Sequence, residues 1–263
     1  MEIGYNSSPK EVALRRVEYE NNRFGAENEK DGYDCELCRN KGYTVFAKEY
    51  NGSWQEAQKQ CSCMEIRRNL RNLMSSGLGD FVKDFSLERF ETQKPFQKAM
   101  LEKAKKYLEN GGNSWFALFG QSGCGKTMLC SAIAIELAKR GNSMKYFLWR
   151  EESRAIKADN REGGTLIEKY KNVDVLYIDD MFKCGKDDGS SYQKPTQADI
   201  NIAFELINAR MLAKKITIIS SENTIDELFS IDASVAGRIK QMCGDFMLNI
   251  SKGEGKNYRK ENF

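Results

Sequence analysis

A phosphate-binding loop of the form G-x-x-x-x-G-K-[ST] occupies residues 120–127 and constrains the fold more than any other segment. The residues before it, 115–119, are an apolar run that predicts a buried strand. The residues after it, 127–140, have the apolar spacing of a helix that ends before Gly141. Strand, loop and helix in this order predict an α/β fold that binds a nucleotide. The predicted nucleotide contacts are Gly120, Gln121, Ser122, Gly123, Cys124, Gly125, Lys126, Thr127 and Met128.

The residue types in this loop match the chemistry of phosphate binding. Glycines let backbone N–H groups turn toward the phosphates, and the positive end of the following helix adds to the attraction. Lys126 supplies a charge to the β and γ phosphates, and the Thr127 hydroxyl is placed to ligate Mg²⁺. Cys124 occupies a free position of the motif, so we assign it no chemistry. A glycine-rich turn that matches by chance is the alternative interpretation.

A second acidic motif follows a predicted strand at residues 173–180, which read VDVLYIDD. Five of the first six residues are apolar or aromatic, as in a strand buried inside a parallel sheet. Asp179 is predicted to hold Mg²⁺, and Asp180 to orient or deprotonate the attacking water. This is a Walker B pattern, with a plain Asp-Asp turn as the alternative.

Three further apolar runs, 144–149, 216–220 and 245–250, bring the number of predicted strands to five. We expect a five-stranded parallel sheet between helices, as in a P-loop nucleoside triphosphatase (NTPase). Helices are predicted at 196–212, at 224–229 with Thr224 as its cap, and at 234–242. Only thirteen residues follow Ile250, so we expect no C-terminal helical lid.

Four cysteines near the N-terminus form two close pairs. Cys35 and Cys38 are two residues apart, and Cys61 and Cys63 are one residue apart. Two such pairs around a predicted hairpin, 43–47 against 53–58, are typical of a tetrahedral zinc site. Zinc held by four thiolates has no open position for water, so the predicted role is structural. Four unconnected thiols are the alternative.

Composition limits the remaining classes. The chain has no histidine, which excludes a histidine base and His-ligated metals. No apolar run approaches a membrane span and the N-terminus lacks a signal peptide, so we expect a cytoplasmic protein without membrane contact. The net charge of +3 is too small to indicate nucleic acid binding by itself.

The predicted division places a zinc-binding domain at 1–78 and an ATPase domain at 79–263. A basic helix is predicted at 64–77, directly after the zinc ligands. Its arginines, Arg67, Arg68 and Arg71, form either a solvated face or a contact for a partner or nucleic acid.

Taken together in this order, the motifs resemble the DnaC/DnaI-type replicative helicase loaders, a branch of the AAA+ ATPases related to the IstB transposition helpers. The resemblance spans residues 35–263 and includes GQSGCGKT, VLYIDDMF, ITIISSENTIDEL, SVAGRI and NYRKENF. It implies ATP as the nucleotide, an N-terminal zinc domain that contacts the hexameric replicative DNA helicase, and self-association around ATP.

The resemblance also implies roles for individual residues. Ser221, with Asn223 as a second candidate, matches the sensor 1 position. Arg238 matches an arginine finger that reaches a neighbouring subunit's ATP, and Arg259 matches sensor 2. Many AAA+ proteins have Glu where this chain has Asp180, which puts the hydrolysis rate in question. The basic stretch 154–169 lies where related loaders contact single-stranded DNA.

The predicted function is therefore an ATPase that binds the replicative helicase and helps place it on single-stranded DNA. A transposition helper of the same fold is one alternative, which the four cysteines disfavour. An adaptor that binds ATP as a switch without hydrolysing it is another. A small-molecule kinase ranks last, because the short C-terminus supplies no arginine-bearing lid.

Overall fold

The computed structural model describes residues 7–79, 81–159, 165–183, 194–251 and 253. The chain divides into two compact units, Met1–Arg71 and Asn72–Phe263. The sequence predicts the boundary at residues 78 and 79, whereas the division falls earlier, inside a helix. This helix begins at Cys63, one of the predicted zinc ligands.

The first unit combines three helices with a β-hairpin. Its elements are α1 (Pro9–Asn22), α2 (Asn28–Asp31), β1 (Tyr43–Tyr50), β2 (Ser53–Gln60) and the greater part of α3 (Cys63–Leu73). Ser8 and Glu11 form a capping box at the start of α1, which satisfies N–H groups that the first helical turn leaves free. The predicted hairpin is confirmed and is longer than expected. Asn51 and Gly52 at its tip both have positive φ, the geometry of a two-residue type I′ turn.

The second unit is an α/β domain. A π-helical turn (Met74–Leu78) follows α3, and a 3₁₀ turn (Gly244–Phe246) precedes the last strand. Between and around them lie α4 (Phe81–Asp84), α5 (Pro95–Asn110), β3 (Phe116–Gly120), α6 (Lys126–Lys139), β4 (Met144–Leu148), α7 (Trp149–Ala158), α8 (Thr165–Lys171), β5 (Val175–Asp179), α9 (Gln197–Leu212), β6 (Ile216–Ser221), α10 (Ile225–Ile231), α11 (Ala233–Cys243) and β7 (Met247–Ile250).

The predicted five-stranded parallel sheet is confirmed, with the strand order β4-β5-β6-β3-β7. Every residue of β3 and of β5 is buried, because helices cover both faces of a parallel sheet. The pairing sets Leu148 beside Asp179 and Phe119 beside Ser221. The carboxyl ends of these strands therefore lie along one edge, where α/β sheets bind ligands.

The spacing of apolar residues predicts a helix over residues 95–110, and α5 has these bounds but a different buried face. The sequence pattern favours Phe96, Met100, Ala104 and Leu108, whereas the buried set is Gln97, Met100, Ala104 and Tyr107. Tyr107 replaces Leu108 because its ring packs against Phe116 and Phe246, both at 5.2 Å between centroids. Across the described ranges, we find no helix with the length and apolar character that a membrane span requires.

Candidate functional site

The phosphate-binding loop joins β3 to α6 in a conformation that only glycine adopts easily. Gly120, Gly123 and Gly125 have φ values of +99°, +73° and +95°. A Cβ atom on Gly120 would lie 2.1 Å from the carbonyl oxygen of Ile250. Among the described residues, no side chain caps α6 at Gly125. The amide groups of the loop and of the first helical turn are therefore suited to bind phosphate oxygens.

Lys126 is buried, and its ammonium group lies over the loop. It donates to the carbonyl oxygens of Gly120 at 2.8 Å and of Gln121 at 2.7 Å. The charge is thus held inside the curve of the glycine-rich turn, as the predicted phosphate contact requires. Burial raises the pKa of the neighbouring Cys124 thiol. This thiol therefore stays protonated at neutral pH, consistent with its having no chemical role.

Asp179, at the end of β5, accepts hydrogen bonds on both carboxylate oxygens. Its Oδ1 accepts from the Thr127 hydroxyl at 3.2 Å, from the Ser220 hydroxyl and from the Asp180 N–H at 3.1 Å. Its Oδ2 accepts from the Tyr146 hydroxyl at 2.8 Å. Thr127 and Asp179 thus lie side by side, and their oxygen atoms are the ligand type that Mg²⁺ prefers. The residues present fit a magnesium ion.

Asp180 is connected to the phosphate loop by a chain of polar contacts that the sequence did not reveal. Lys183 lies 2.9 Å from both Asp180 and Glu222, and Glu222 accepts from the Ser122 hydroxyl at 2.7 Å. Burial, followed by the charge of Asp179, raises the pKa of Asp180, and Lys183 opposes that rise. Asp180 also has a φ of +54°. Its carboxylate is therefore held by a specific cation.

The predicted sensor 1 residue, Ser221, does not face Asp179. Its buried hydroxyl donates to the Met181 carbonyl oxygen at 2.7 Å and accepts from the Asn223 N–H. Successive side chains in a strand point to opposite faces, so Ser220 is the residue that contacts Asp179. The sensor 1 role of Ser221 stays a prediction, and the structure adds Ser220 as the serine that contacts Asp179. The other candidate, Asn223, lies beside the loop, where its carbonyl oxygen accepts from the Gly120 N–H at 3.1 Å.

Arg238 lies on α11, packed against α9. Its guanidinium group is 4.8 Å from the centroid of the Phe204 ring, and it donates to Asn208 at 3.2 Å and to Ser234. It is only partly buried, so it is available to a neighbouring molecule. The finger role of Arg238 stays a prediction, and Arg259 lies outside the described residues.

The predicted DNA-contacting stretch is only partly free. Arg154 is exposed on α7, whereas Lys157 pairs with Asp199 at 2.8 Å. Lys169 lies over the Tyr170 ring at 4.6 Å. Arg161 lies outside the described residues. The expected contact with single-stranded DNA stays a prediction.

The four cysteines of the first unit form one compact cluster. Their four Sγ atoms lie within 4.8 Å of one another. Cys35 and Cys61 are 3.8 Å apart, and Cys38 and Cys63 are 3.6 Å apart. A tetrahedral ion with Zn–S bonds of 2.3 Å would set its sulfur atoms about 3.8 Å apart. The thiols thus have the separation that one zinc ion requires.

Backbone turns around the cluster aim the thiols inward. Gly42 donates its N–H to the Cys38 Sγ at 3.3 Å, and the Asn40 side chain accepts from the Cys35 N–H at 2.8 Å. Asn40 and Gly42 both have positive φ, which tightens the chain into a knuckle. Such contacts orient the ligands of a metal site.

The arginines of α3 do not form the continuous solvated or partner-binding face that the sequence left open. Arg67 is fully buried and pairs with Asp31 at 2.6 Å. Arg71 pairs with the same Asp31 at 2.8 Å and with Glu27 at 2.6 Å. Arg68 alone of the three is exposed. Asp31 of α2 and Glu27, the residue before α2, thus pair with two arginines, of which Arg67 is buried and Arg71 is half-buried.

Comparisons with known proteins agree with this architecture. The chain is 31% identical over 236 residues to the phage-like element PBSX protein XkdC of Bacillus subtilis (strain 168), covering 86% of this chain and 85% of the relative. It is 27% identical over 188 residues to the replicative helicase loader DnaC of Escherichia coli (strain K12), covering 67% and 73%.

Two solved structures share the fold. A crystal structure of the DnaC helicase loader superposes with a TM-score of 0.54 at 19% identity, covering 64% of this chain and 97% of the other. A crystal structure of DnaI superposes with a TM-score of 0.50 at 21% identity, covering 65% and 89%. The family model of the IstB-like ATP binding protein matches residues 63–238. The chain therefore belongs to the IstB-like ATP-binding proteins, in which ATPase activity is typical, and it is homologous to the DnaC-type helicase loaders.

Proposed function

We propose that this protein is an ATP-dependent loader that binds a hexameric replicative helicase and helps place it on single-stranded DNA. The observation that carries the proposal is the four-thiol unit ahead of an ATPase core of the DnaC type. The matched family region begins at residue 63, so the unit lies almost wholly outside it. A separate unit of this kind is suited to bind a partner protein such as the helicase.

The proposed ATP site assigns one task to each group. Thr127 and Asp179 would hold Mg²⁺, and the ion would supply positive charge to the phosphates. Lys126 contacts the β and γ phosphates, and Asp180 orients the attacking water or takes its proton. Ser220, which donates to Asp179 and accepts from the Asp180 N–H, keeps the Asp179 carboxylate and the Asp180 backbone in place.

The proposed metal of the first unit is zinc held by Cys35, Cys38, Cys61 and Cys63. Cys61 and Cys63 lie at the junction of the hairpin and α3, and the apolar core of a unit of this size gives only marginal stability. Zinc here would stabilise the surface that the helicase recognises.

The proposed assembly places ATP between neighbouring copies of the chain. Arg238 is partly exposed on α11 and, once released from Asn208 and Ser234, would reach the phosphates bound by an adjacent subunit. Arg154, exposed on α7, is the proposed contact for DNA phosphates.

The deciding experiment is capture of the cognate hexameric helicase, with ATP or with ADP, by the full-length protein. A variant with Cys38→Ser and Cys63→Ser is compared with a Cys243→Ala control, which changes a cysteine outside the cluster. We expect the wild type and the control to retain the helicase and the cluster variant to lose it. Failure of all three to bind would contradict the loader proposal.

A transposition helper is the second candidate, since the family model bears the IstB name. Capture of a transposase by the same proteins, without capture of the helicase, would favour it. Loss of multiple-turnover ATPase activity in Asp180→Asn would argue against the non-hydrolysing adaptor.

A further inference from the structure

Tyr146 is a buried tyrosine in the middle of β4, and nothing in the phosphate-loop or Walker B patterns points to it. Its hydroxyl donates to Asp179 Oδ2 at 2.8 Å. Its ring is 5% exposed and lies 5.3 Å from the ring of Tyr177 on the neighbouring strand. The side chain therefore has one fixed orientation, with its polar end on the carboxylate.

The contacts of Asp179 are divided between its two oxygens. Oδ1 accepts from Thr127 in the first turn of α6, from Ser220 near the end of β6 and from the Asp180 N–H. Among the described hydrogen bonds, Oδ2 has a single donor, Tyr146. A carboxylate rotates about one bond, so holding Oδ2 also holds Oδ1 next to the Thr127 hydroxyl. Tyr146 thus sets the rotation of the proposed magnesium ligand.

The opposite contact of Tyr146 is with the π-helical turn Met74–Leu78. A Cβ atom on Gly77 would lie 3.4 Å from both Cδ1 and Cε1 of the Tyr146 ring. Gly77 has a φ of +115°, which side chains rarely allow, so the turn depends on glycine at this position. The turn directly follows α3, the helix that begins at Cys63.

We propose that Tyr146 is a positioning residue that couples the turn Met74–Leu78 to the magnesium ligand Asp179. A shift of the turn moves the tyrosine ring, and the hydroxyl then releases or restores its hydrogen bond to Oδ2. The position of the segment after α3 thereby controls how well the site binds Mg²⁺. This inference rests on the proposed magnesium role of Asp179.

The first test compares Tyr146→Phe with Tyr107→Phe in the full-length protein. Both substitutions remove one hydroxyl from a buried ring, and Tyr107 donates to Ser114 at 2.9 Å, remote from Asp179 in sequence and on α5. The measurement is the dissociation constant of a fluorescent ATP analogue with Mg²⁺ and with EDTA. The ratio of the dissociation constant in EDTA to that in Mg²⁺ is the metal-dependent gain in affinity, and measuring it requires no hydrolysis.

In Tyr146→Phe, we expect this metal-dependent gain in affinity to fall about tenfold, because a hydrogen bond to a charged group is lost. Affinity in EDTA stays at the wild-type value, and Tyr107→Phe retains the full gain. A Tyr146→Phe ratio within about twofold of wild type would overturn the proposal.

The second test concerns the turn. Gly77→Ala sets a methyl group against the Tyr146 ring, whereas Gly79→Ala imposes comparable backbone strain (φ +54°) with nothing within 4 Å of the new atom. We expect Gly77→Ala to reduce the metal-dependent gain in the wild type and to cause no further loss in the Tyr146→Phe background. Equal effects of Gly77→Ala and Gly79→Ala, or additive effects with Tyr146→Phe, would refute the coupling.

Asp179→Asn separates failure of this inference from failure of the magnesium assignment. If Asp179→Asn abolishes the metal-dependent gain while Tyr146→Phe leaves it intact, the inference alone is wrong. If Asp179→Asn also leaves the gain intact, the magnesium site itself is misassigned and the inference falls with it.

Discussion

The Lys183 ammonium group lies 2.9 Å from the Asp180 carboxylate, the group proposed to act on the attacking water. It lies at the same distance from Glu222, which in turn accepts from Ser122 in the phosphate loop. Burial and the charge of Asp179 raise the pKa of Asp180, so Lys183 is the group that favours its ionised form.

We predict that Lys183→Met moves the acidic limb of the ATPase pH profile to higher pH. A carboxyl group must be ionised to accept a proton, so activity is lost as the pH falls through its pKa. Without Lys183, the pKa of Asp180 rises further and the loss begins at a higher pH. When the pKa of Asp180 is higher in the folded than in the unfolded protein, the free energy of unfolding falls as the pH rises through the folded-state pKa. The variant should therefore be less stable at neutral pH than in mild acid.

The matched control is Lys215→Met. Lys215 pairs with Asp174 at 2.7 Å, and these residues precede β6 and β5, at the opposite end of both strands. The control should retain the wild-type pH profile. An unchanged acidic limb in Lys183→Met would contradict the assignment of Asp180 to the proton-accepting role.

Neighbouring serines at the end of β6 should respond differently to substitution. Ser220 donates to Asp179 and accepts from the Asp180 N–H, whereas Ser221 donates to the Met181 carbonyl oxygen. We predict that Ser220→Ala lowers kcat by about tenfold to a hundredfold, the value of a hydrogen bond to a charged group. Ser221→Ala should change kcat by much less and should mainly lower thermal stability. Equal losses of kcat in the two variants would contradict the assignment of different roles to Ser220 and Ser221.

The overall fold follows from the sequence because its signals are local. The apolar runs before Gly120 and Asp179 are long enough to identify buried strands, and the glycine-rich loop fixes what lies between β3 and α6. The zinc-type spacing likewise identified the four thiols before any geometry was known. Each of these motifs lies within a short segment of the chain, so the sequence of that segment is enough to predict its structure.

Contacts across the sheet were not predictable in the same way. Tyr146 reaches the site because β4 pairs with β5, and Lys183 reaches it because the turn after β5 folds back onto Asp180. The spacing of residues in the sequence predicts neither contact. Ser220 and Ser221 lie on opposite faces of the strand, and the sequence alone does not show which of the two contacts Asp179. Identifying these residues required the pairing of the strands.

The buried ion pair of the first unit gives a stability prediction. Arg67 and Asp31 are both buried, and Arg67→Met would leave the aspartate with Arg71 as its cation. Removing one partner of a buried pair typically costs about 3–5 kcal/mol, and the remaining contact with Arg71 favours the lower value. Faster hydrogen exchange of the β1 and β2 amides is the expected readout. Arg68→Met, on the exposed side of the same helix, should leave exchange unchanged, and equal exchange in both variants would contradict the prediction.

Zinc content provides the fourth prediction. The purified protein should contain one zinc ion per chain, measured by atomic absorption, because the cluster offers one set of four thiols. Cys63→Ser should lose the ion and the protection of the hairpin amides, whereas Cys243→Ala should retain both. Full protection of the hairpin amides after complete chelation of zinc would contradict a structural role for the metal.

Arg238 can be tested by mixing two inactive variants. Arg238 packs on Phe204 at the surface of α9 and α11, where it is accessible to another copy of the chain. Lys126→Ala removes the phosphate contact of a subunit but leaves its Arg238 in place. Arg238→Ala leaves the nucleotide site whole but removes the cation offered to a neighbour, a loss of about a thousandfold or more in kcat for an arginine finger.

If Arg238 acts on the neighbouring subunit's ATP, the two inactive proteins restore activity when mixed. In a mixed assembly, a Lys126→Ala subunit supplies Arg238 to the intact nucleotide site of an Arg238→Ala subunit. ATPase activity should therefore rise with the proportion of mixed interfaces and reach its maximum near equal amounts. The control is the double variant Lys126→Ala with Arg238→Ala, which offers neither group and should not rescue Arg238→Ala. Full activity of Arg238→Ala by itself would exclude the finger role. Inactivity of Arg238→Ala in every mixture would show that Arg238 acts only within its own subunit, where its bonds to Asn208 and Ser234 hold α11 against α9.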